Sequence, residues 1–457
     1  MTDDAGGFRY RSIQDLKAHA DALGAELPAR DDLSVLATPI GWGRRTAPNR
    51  LAIQPMEGCD ATPEGGPTDL TLRKYARFAA GGAGLIWWEA CAVAADARAN
   101  PRQLWLHERT LDAFRAMVAA ARSAARDAVG HEPICVLQLT HSGRYCRPEG
   151  EPRPVIAHHS SVLDPTRDLP PDYPLITDEE LDRLQDAFVR SAELAADAGF
   201  DAVDIKACHR YLLNELLASH TRRGRYGGSY EGRTRFLRET AEKVRQAVGD
   251  RIDVTTRVNA YDAIPYPYGW GVDRADFTRP DLSEPTRLLG ELADAGMCGA
   301  NITAGNPYYN PHVNRPEGRA GGEHPLEGVA RLAAIARDLQ RAHPGFPLVG
   351  SGYSWLRHLF PQVAAGVVGE GWAGLVGLGR GALAYPGFAR DILHNGRMDP
   401  GKACITCGKC TEVCSVEAVK DGHIDPRECH MCMKCVDICP TDAIELKENW
   451  KGKGCGT

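Results

Sequence analysis

At 457 residues the chain exceeds one ordinary domain but could hold one large barrel with an appendage. Its 43% hydrophobic and 25% charged content is that of a globular protein, and a net charge of −6 leaves no basic footprint for nucleic acid. The polar start, Met1 to Gln14, lacks the apolar run of a signal peptide, and no later stretch reads as a membrane span, so the cytoplasm is the default expectation.

The first 38 residues form no strand unit and are expected to pack as an extension outside the main domain. Short apolar runs then alternate with helical stretches up to about residue 390. The expected strands are Leu51–Met56, Ala83–Ala90, Ile134–His141, Asp201–Ala207, Ile252–Val258, Gly299–Gly305, Phe346–Gly352 and Gly374–Arg380. Continuous apolar character suits strands buried on both faces of a parallel sheet. Asp178–Gly199 and Tyr230–Gly249 show helical spacing, and the first has a cap at Thr177 and a stop at Gly199. Eight strand–helix units predict an α/β fold, a (β/α)₈ TIM barrel over residues 39–395.

Such barrels carry their chemistry at the carboxyl ends of the strands. The polar residues expected there are Glu57 beside Pro55 and Met56, then Gln138 and His141, then Lys206, His209 and Tyr211, then Arg257. Gly350, Ser351 and Gly352 end the seventh strand; Gly379, Arg380 and Gly381 end the eighth. Trp87, Trp88 and Glu89 end the second strand, where buried packing is favoured over a pocket role for the indoles.

Cysteine and lysine usage change together near the C-terminus. Six cysteines are scattered from Cys59 to Cys298, whereas nine fall between Cys404 and Cys455. Only Lys17, Lys74, Lys206 and Lys243 precede residue 402. Gly396, Pro400 and Gly401 make a linker, so residues 396–457 are expected to form a small α+β, ferredoxin-like domain. Cys404, Cys407, Cys410 and Cys414 spell C-x₂-C-x₂-C-x₃-C, and Cys429, Cys432, Cys435 and Cys439 repeat the run before Pro440. In two-cluster ferredoxins the fourth cysteine of each run ligates the other cluster. Cys404, Cys407, Cys410 and Cys439 would then hold one [4Fe–4S] cluster, and Cys429, Cys432, Cys435 and Cys414 the second. A pair of zinc sites is the alternative, but zinc sites use paired CxxC and not triplets closed by Cys-Pro. Ser415 stands where proline usually follows Cys414, and Cys455 has no assigned role.

Seven motifs in order carry a family resemblance. They are Asn49-Arg50 with Pro55-Met56, Gln138-Leu139-x-His141-x-Gly143-Arg144, Tyr211-Leu212-Leu213, Arg222-x₃-Tyr226-Gly227-Gly228-Ser229, Arg235-Phe236 and Gly377-Leu378-Gly379-Arg380. The chain resembles the old yellow enzyme family of NADH:flavin oxidoreductases, and within it the iron–sulfur branch of 2,4-dienoyl-CoA reductase and trimethylamine dehydrogenase. The resemblance implies FMN in the barrel. Pro55 and Met56 would pack against the isoalloxazine, Gln138 would bond its pyrimidine edge, and Arg257 would stand near N1 and O2. Gly350, Gly352, Gly379 and Arg380 would hold the phosphate. That placement suits the close backbone approach that glycine permits and the charged contact that arginine supplies. Glu57 would face either the flavin or solvent.

The resemblance further implies a substrate site at Lys206, His209 and Tyr211. Two donors grip a carbonyl oxygen, and tyrosine protonates one carbon while the flavin reduces the other. Lys206 stands in the first donor position, and Arg210 replaces the usual glycine. No G-x-G-x-x-G follows a strand, so the cysteine domain is expected to stand in for nucleotide-binding domains. Electrons would enter from an external ferredoxin, electron-transfer flavoprotein or NAD(P)H.

The expected activity is reduction of an activated C=C bond in a small α,β-unsaturated carbonyl, carboxyl or thioester compound. Oxidation of an amine or alicyclic substrate is the first alternative, and a pure electron-transfer flavoprotein subunit the second. Homo-oligomerisation is left open.

Overall fold

The computed structural model describes residues 8–316 and 322–404, together with the backbone of two-residue strands at 419–420 and 423–424. Eight parallel strands close into a barrel in chain order: β3 (Leu51–Ile53), β4 (Leu85–Ala92), β5 (Ile134–Thr140), β6 (Ala202–Ile205), β7 (Asp253–Tyr261), β8 (Ala300–Ala304), β9 (Leu348–Gly350) and β10 (Leu375–Leu378). β10 pairs with β3 to complete the ring. All eight expected strands are present, each within its expected segment or a few residues beyond it.

Successive strand residues point to opposite faces, so each strand feeds two cores. Leu85, Trp87, Ile134, Val136, Ala202, Val349 and Leu375 pack together inside the barrel, while Ile86, Trp88, Cys135, Leu137 and Val203 face the surrounding helices. A hairpin that the sequence did not signal, β1 (Ile40–Trp42) with β2 (Arg45–Ala47), precedes the ring. Its Trp42 joins the interior cluster and meets Trp87 edge-on at 5.8 Å. A Cβ on Gly299 would lie 2.7 Å from the Trp42 ring, so this glycine makes room for the indole. One end of the barrel is therefore stopped with apolar side chains.

The helices follow their caps. Helix α4 (Asp178–Ala198) starts in a reciprocal Thr177–Glu180 capping box and stops at Gly199, at φ +91. α6 (Tyr230–Val248) starts at Ser229, whose hydroxyl accepts from Gly232. The N-terminal segment supplies its own helix, α1 (Ile13–Ala22), which buries Ile13, Leu16 and Ala20. Phe8 meets Trp355 edge-on at 5.4 Å, and the Arg30 amide donates to Gln362, so this segment lies against the outside of the barrel. No helix among the described residues is long and apolar enough to cross a membrane.

The loop after β5 is tied to α5 (Leu212–Leu217) by ions with no solvent contact. Arg144 and Glu215 side chains are both fully buried, with Nε donating to Oε2 at 2.9 Å and a second donor reaching Oε1 at 3.2 Å. Burial alone would push the Glu215 carboxyl up, but Arg144, His158 and Arg210 hold it below its ordinary range. Glu215→Gln removes one of the two carboxylates that pair with the buried Arg144, leaving Asp164, and is expected to cost ~2–3 kcal/mol in urea unfolding. Arg287→Ala, which breaks exposed pairs with Glu231 and Glu291, should cost under about 1 kcal/mol. A carboxyl held low stabilises above its unfolded pKa of about 4.3, so the gap between wild type and E215Q should narrow as pH falls below that value. Equal losses in the two variants would contradict the assignment.

Candidate active site

Beyond the apolar layer the same inward face becomes polar. Two steps from Ala52, Val136, Ala202 and Val349 stand Gln54, Gln138, Asp204 and Ser351, followed by Lys206 two further on. Gln54, Gln138, Lys206 and Ser351 line a cavity of about 550 Å³ at the carboxyl ends of the strands, within the usual size of small-molecule sites, while Asp204 is fully buried behind it. Of the barrel residues expected at the site, Pro55, Met56, Glu57, Gln138, Lys206, His209, Tyr211, Arg257, Gly352, Gly379 and Arg380 line it. Gly350 does not. It ends β9, its carbonyl accepts from Gln54, and an added Cβ would lie 2.5 Å from the Tyr353 hydroxyl. Ser351 takes its place on the wall.

The cavity floor is crowded around small residues. A Cβ on Gly379 would come within 3.0 Å of Met56 sulfur, and Gly352 lies at φ +95 against Leu332. Arg257 is buried, yet its Nε has no partner among the described residues. A buried donor left unpaired beside a cavity is costly unless a ligand completes it.

The turn from Lys206 to Tyr211 is strained and heavily braced. His209 and Arg210 both adopt left-handed conformations, at φ +63 and +58, which cost a non-glycine residue about 1 kcal/mol each. The Arg210 amide donates to Asn214 at 2.7 Å and its guanidinium to Asp262 at 3.1 Å, with neither charged side chain exposed. The His209 amide donates to Asn259 at 3.2 Å. The arginine in place of glycine thus acts as an anchor. It leaves Tyr211 as the N-cap of α5 and a wall of the cavity.

Tyr211 is 2% exposed, and its hydroxyl lies 3.2 Å from Glu57 Oε1 and 3.0 Å from the Tyr308 hydroxyl. Lys206 Nζ stands 3.5 Å from Glu57 and 3.7 Å from the centre of the Tyr211 ring. Burial first, and Glu57 second, push the Tyr211 hydroxyl well above its usual pKa, so it keeps its proton at neutral pH. Burial, with Arg257 and Lys206, pushes His209 well below its ordinary value and leaves it neutral. Asn314 Nδ2 donates to the Ala304 carbonyl and to Thr303 Oγ1, and lies 3.0 Å from His209 Nε2.

Glu57 sits on a turn held from behind. The Gly58 amide donates to Glu89 at 2.7 Å, and Lys74 bridges Glu89 at 2.6 Å and Asp60 at 3.1 Å. Trp88 stacks on Tyr75 at 3.7 Å, while Trp87 donates to Asp204. Trp87, Trp88 and Glu89 are thus wall and buttress and do not line the cavity. A register shift between Trp88 and Ala90 accounts for Glu89 turning to Lys74. Sequence reasoning missed Gln54, Asp204, Tyr308 and Asn314. Strand parity could have found the first two; the others sit on the loop and short helix after β8, which carried no signal.

Of the proposed cluster ligands, Cys404 closes the described chain; Cys407, Cys410, Cys414, Cys429, Cys432, Cys435 and Cys439 lie outside the described residues.

A model of the NADH:flavin oxidoreductase / NADH oxidase family matches residues 35–275, and a 4Fe-4S binding domain model matches residues 423–445. An NADPH dehydrogenase from a Geobacillus species is 33% identical over 362 residues, covering 74% of this chain and 99% of that protein. Dimethylamine dehydrogenase from a Hyphomicrobium species is 27% identical over 393 residues, covering 84% of this chain and 48% of that protein. The chain spans about half the length of several curated relatives it matches. Among solved structures, a 2-naphthoyl-CoA reductase complex superposes with a TM-score of 0.67 at 21% identity, over 83% of this chain and 54% of that one, which shows the shared barrel.

Lys74→Met should leave Asp60 and Glu89 as facing carboxylates and lower stability by ~3–5 kcal/mol. Because both anchor the turn that carries Glu57, proteolytic nicking near residues 57–60 should appear in this variant first. A variant as stable and as protease-resistant as wild type would contradict the buttress.

Proposed function

Because the chain belongs to the NADH:flavin oxidoreductase / NADH oxidase family, the old yellow enzyme family, and carries a 4Fe-4S binding domain, we propose that it reduces an activated C=C bond of an α,β-unsaturated carboxylate or carbonyl compound, drawing electrons through its cysteine domain. The observation that carries this reading is Tyr211, a buried and protonated phenol on the cavity wall beside the Lys206 ammonium.

The residues present fit FMN. Gln138 offers an amide to a polar ring edge, and Arg257 brings a guanidinium to the same cavity. Gly352, Gly379 and Arg380 offer close backbone approach and a charge to a phosphate. Bound FMN would supply the two-electron reducing equivalent, as hydride, that no side chain here can supply. The remaining work falls to this chain. Reduction of a conjugated double bond leaves negative charge on the carbonyl oxygen, and the Lys206 ammonium with the neutral His209 ring supplies donors for it. Tyr211 gives its proton to the second carbon.

Charge favours an anionic substrate. The cavity lining holds Arg147, Lys206, Arg257, Arg315 and Arg380 against Glu57. A second reading, oxidation of an amine, draws on the aromatic faces of Tyr145, Tyr211 and Tyr308, the last two 6.3 Å apart and stacked. Such faces accept cations, but Lys206 and Arg167 already occupy them.

The test is reoxidation of the chemically reduced protein by a panel of enoates, enones, enoyl thioesters and methylated amines, without oxygen. Enoates should reoxidise wild type, and Tyr211→Phe should slow that step by about 10²-fold or more while the rate of flavin reduction is unchanged. Lys206→Met should weaken enoates more than neutral enones. Unchanged turnover by Y211F, or reduction of the oxidised protein by amines alone, would overturn the proposal.

A further inference from the structure

Three neighbouring strands aim donors at one buried carboxylate. Asp204 lies on β6 with no solvent exposure, two residues before Lys206 and on the same inward face. Its Oδ2 accepts from Gln138 Nε2 of β5 and from Trp87 Nε1 of β4, each at 2.6 Å. Its Oδ1 accepts from the Arg257 backbone N–H of β7, also at 2.6 Å. An ionised carboxylate can only accept hydrogen bonds, so the Gln138 amide has one permitted orientation. Its nitrogen turns into the wall, and Oε1 is the atom left for a ligand. Arg257 brings its guanidinium to the same cavity, with Nε buried and without a partner among the described residues.

We infer that Asp204 is a positioning residue for the flavin: it fixes Gln138 as an acceptor toward an N–H of the ring edge and sets a negative charge within reach of the Arg257 guanidinium. The inference rests on FMN occupying this cavity. An isoalloxazine carries an imide edge, C=O, N–H, C=O, and a glutamine locked with its oxygen forward pairs with the central N–H alone. The same end of the ring becomes more negative on reduction. Arg257 favours that charge and Asp204 opposes it, so the carboxylate holds the flavin potential below what Arg257 alone would give.

The opposition depends on pH. Burial pushes the Asp204 carboxyl up to about 6, against the pull of its Gln138, Trp87 and Arg257 donors. The charged and titratable groups facing it are Arg257 from β7 and the Cys208 thiol that follows its own strand; β4 and β5 contribute the neutral Trp87 and Gln138. Above that pH the carboxylate is charged and the potential is held down. Below it, protonation releases the effect.

The experiment measures flavin midpoint potential from pH 5 to 8, and FMN affinity, in wild type, Asp204→Asn and Trp87→Phe. D204N should bind FMN about tenfold more weakly and show a more positive potential above pH ~6, with the gap closing in acid. Adding Gln138→Leu to D204N should weaken FMN little further, because Asp204 acts through Gln138. Should D204N fold poorly, W87F still reports: losing one donor destabilises the charged carboxylate, so the inflection in potential moves to higher pH. Bound FMN with potentials and affinity that match wild type in D204N, or an inflection unmoved in W87F, overturns the inference alone. A wild-type protein that binds no FMN removes both it and the functional reading.

Discussion

The barrel's period-two alternation is the constraint from which the rest follows. A closed ring of eight short strands leaves room inside for a few layers of side chains, and every second residue must enter it. Trp42, Trp87 and their aliphatic neighbours fill the layers at one end. The inward positions further along carry Gln54, Gln138, Asp204, Lys206 and Arg257, which cannot be buried without partners. They find partners in each other, as Gln138 does in Asp204, or line the cavity, as Arg257 does. The site is where the apolar packing stops.

Rigidity around that site comes from buried ions and not from backbone regularity. The turn through His209 and Arg210 is conformationally unfavourable for both residues, and an Arg210–Asp262 pair with no exposure holds it in place. A second set, Arg144 with Glu215 and Asp164, fixes the helix that begins at Tyr211. A third, Lys74 with Asp60 and Glu89, fixes the turn that carries Glu57. Each pair is costly to break because the remaining partner stays buried and charged. The groups that line the cavity are thus held by three buried ion-pair clamps, which is how strand-end loops acquire a precise geometry.

Much of this was legible in the sequence because its signals are local. Continuous apolar runs marked all eight strands, and Thr177 and Gly199 marked the limits of α4. Motif order placed Gln138, Lys206, Tyr211, Arg257 and Arg380 in one cavity. What the sequence did not disclose was long-range. Asp204 reads as an ordinary strand residue until Trp87 and Gln138 are seen to converge on it. Tyr308 lies 97 residues from Tyr211 on a loop with no pattern of its own. Glu89 looked like a pocket residue until a register shift turned it to Lys74. Gly350 looked equivalent to Gly352, but Gly350 still belongs to β9, where its carbonyl accepts from Gln54, whereas Gly352 lies beyond the strand end at φ +95 and reaches the cavity.

Whether FMN and iron–sulfur clusters share one polypeptide is decided by anaerobic purification followed by quantitation of flavin, iron and acid-labile sulfide on the same sample. The expected result is a brown protein with about one FMN and about eight iron atoms per chain, as two four-iron clusters on eight cysteines would give. A colourless protein, or one that carries zinc in place of iron and no flavin, would contradict it.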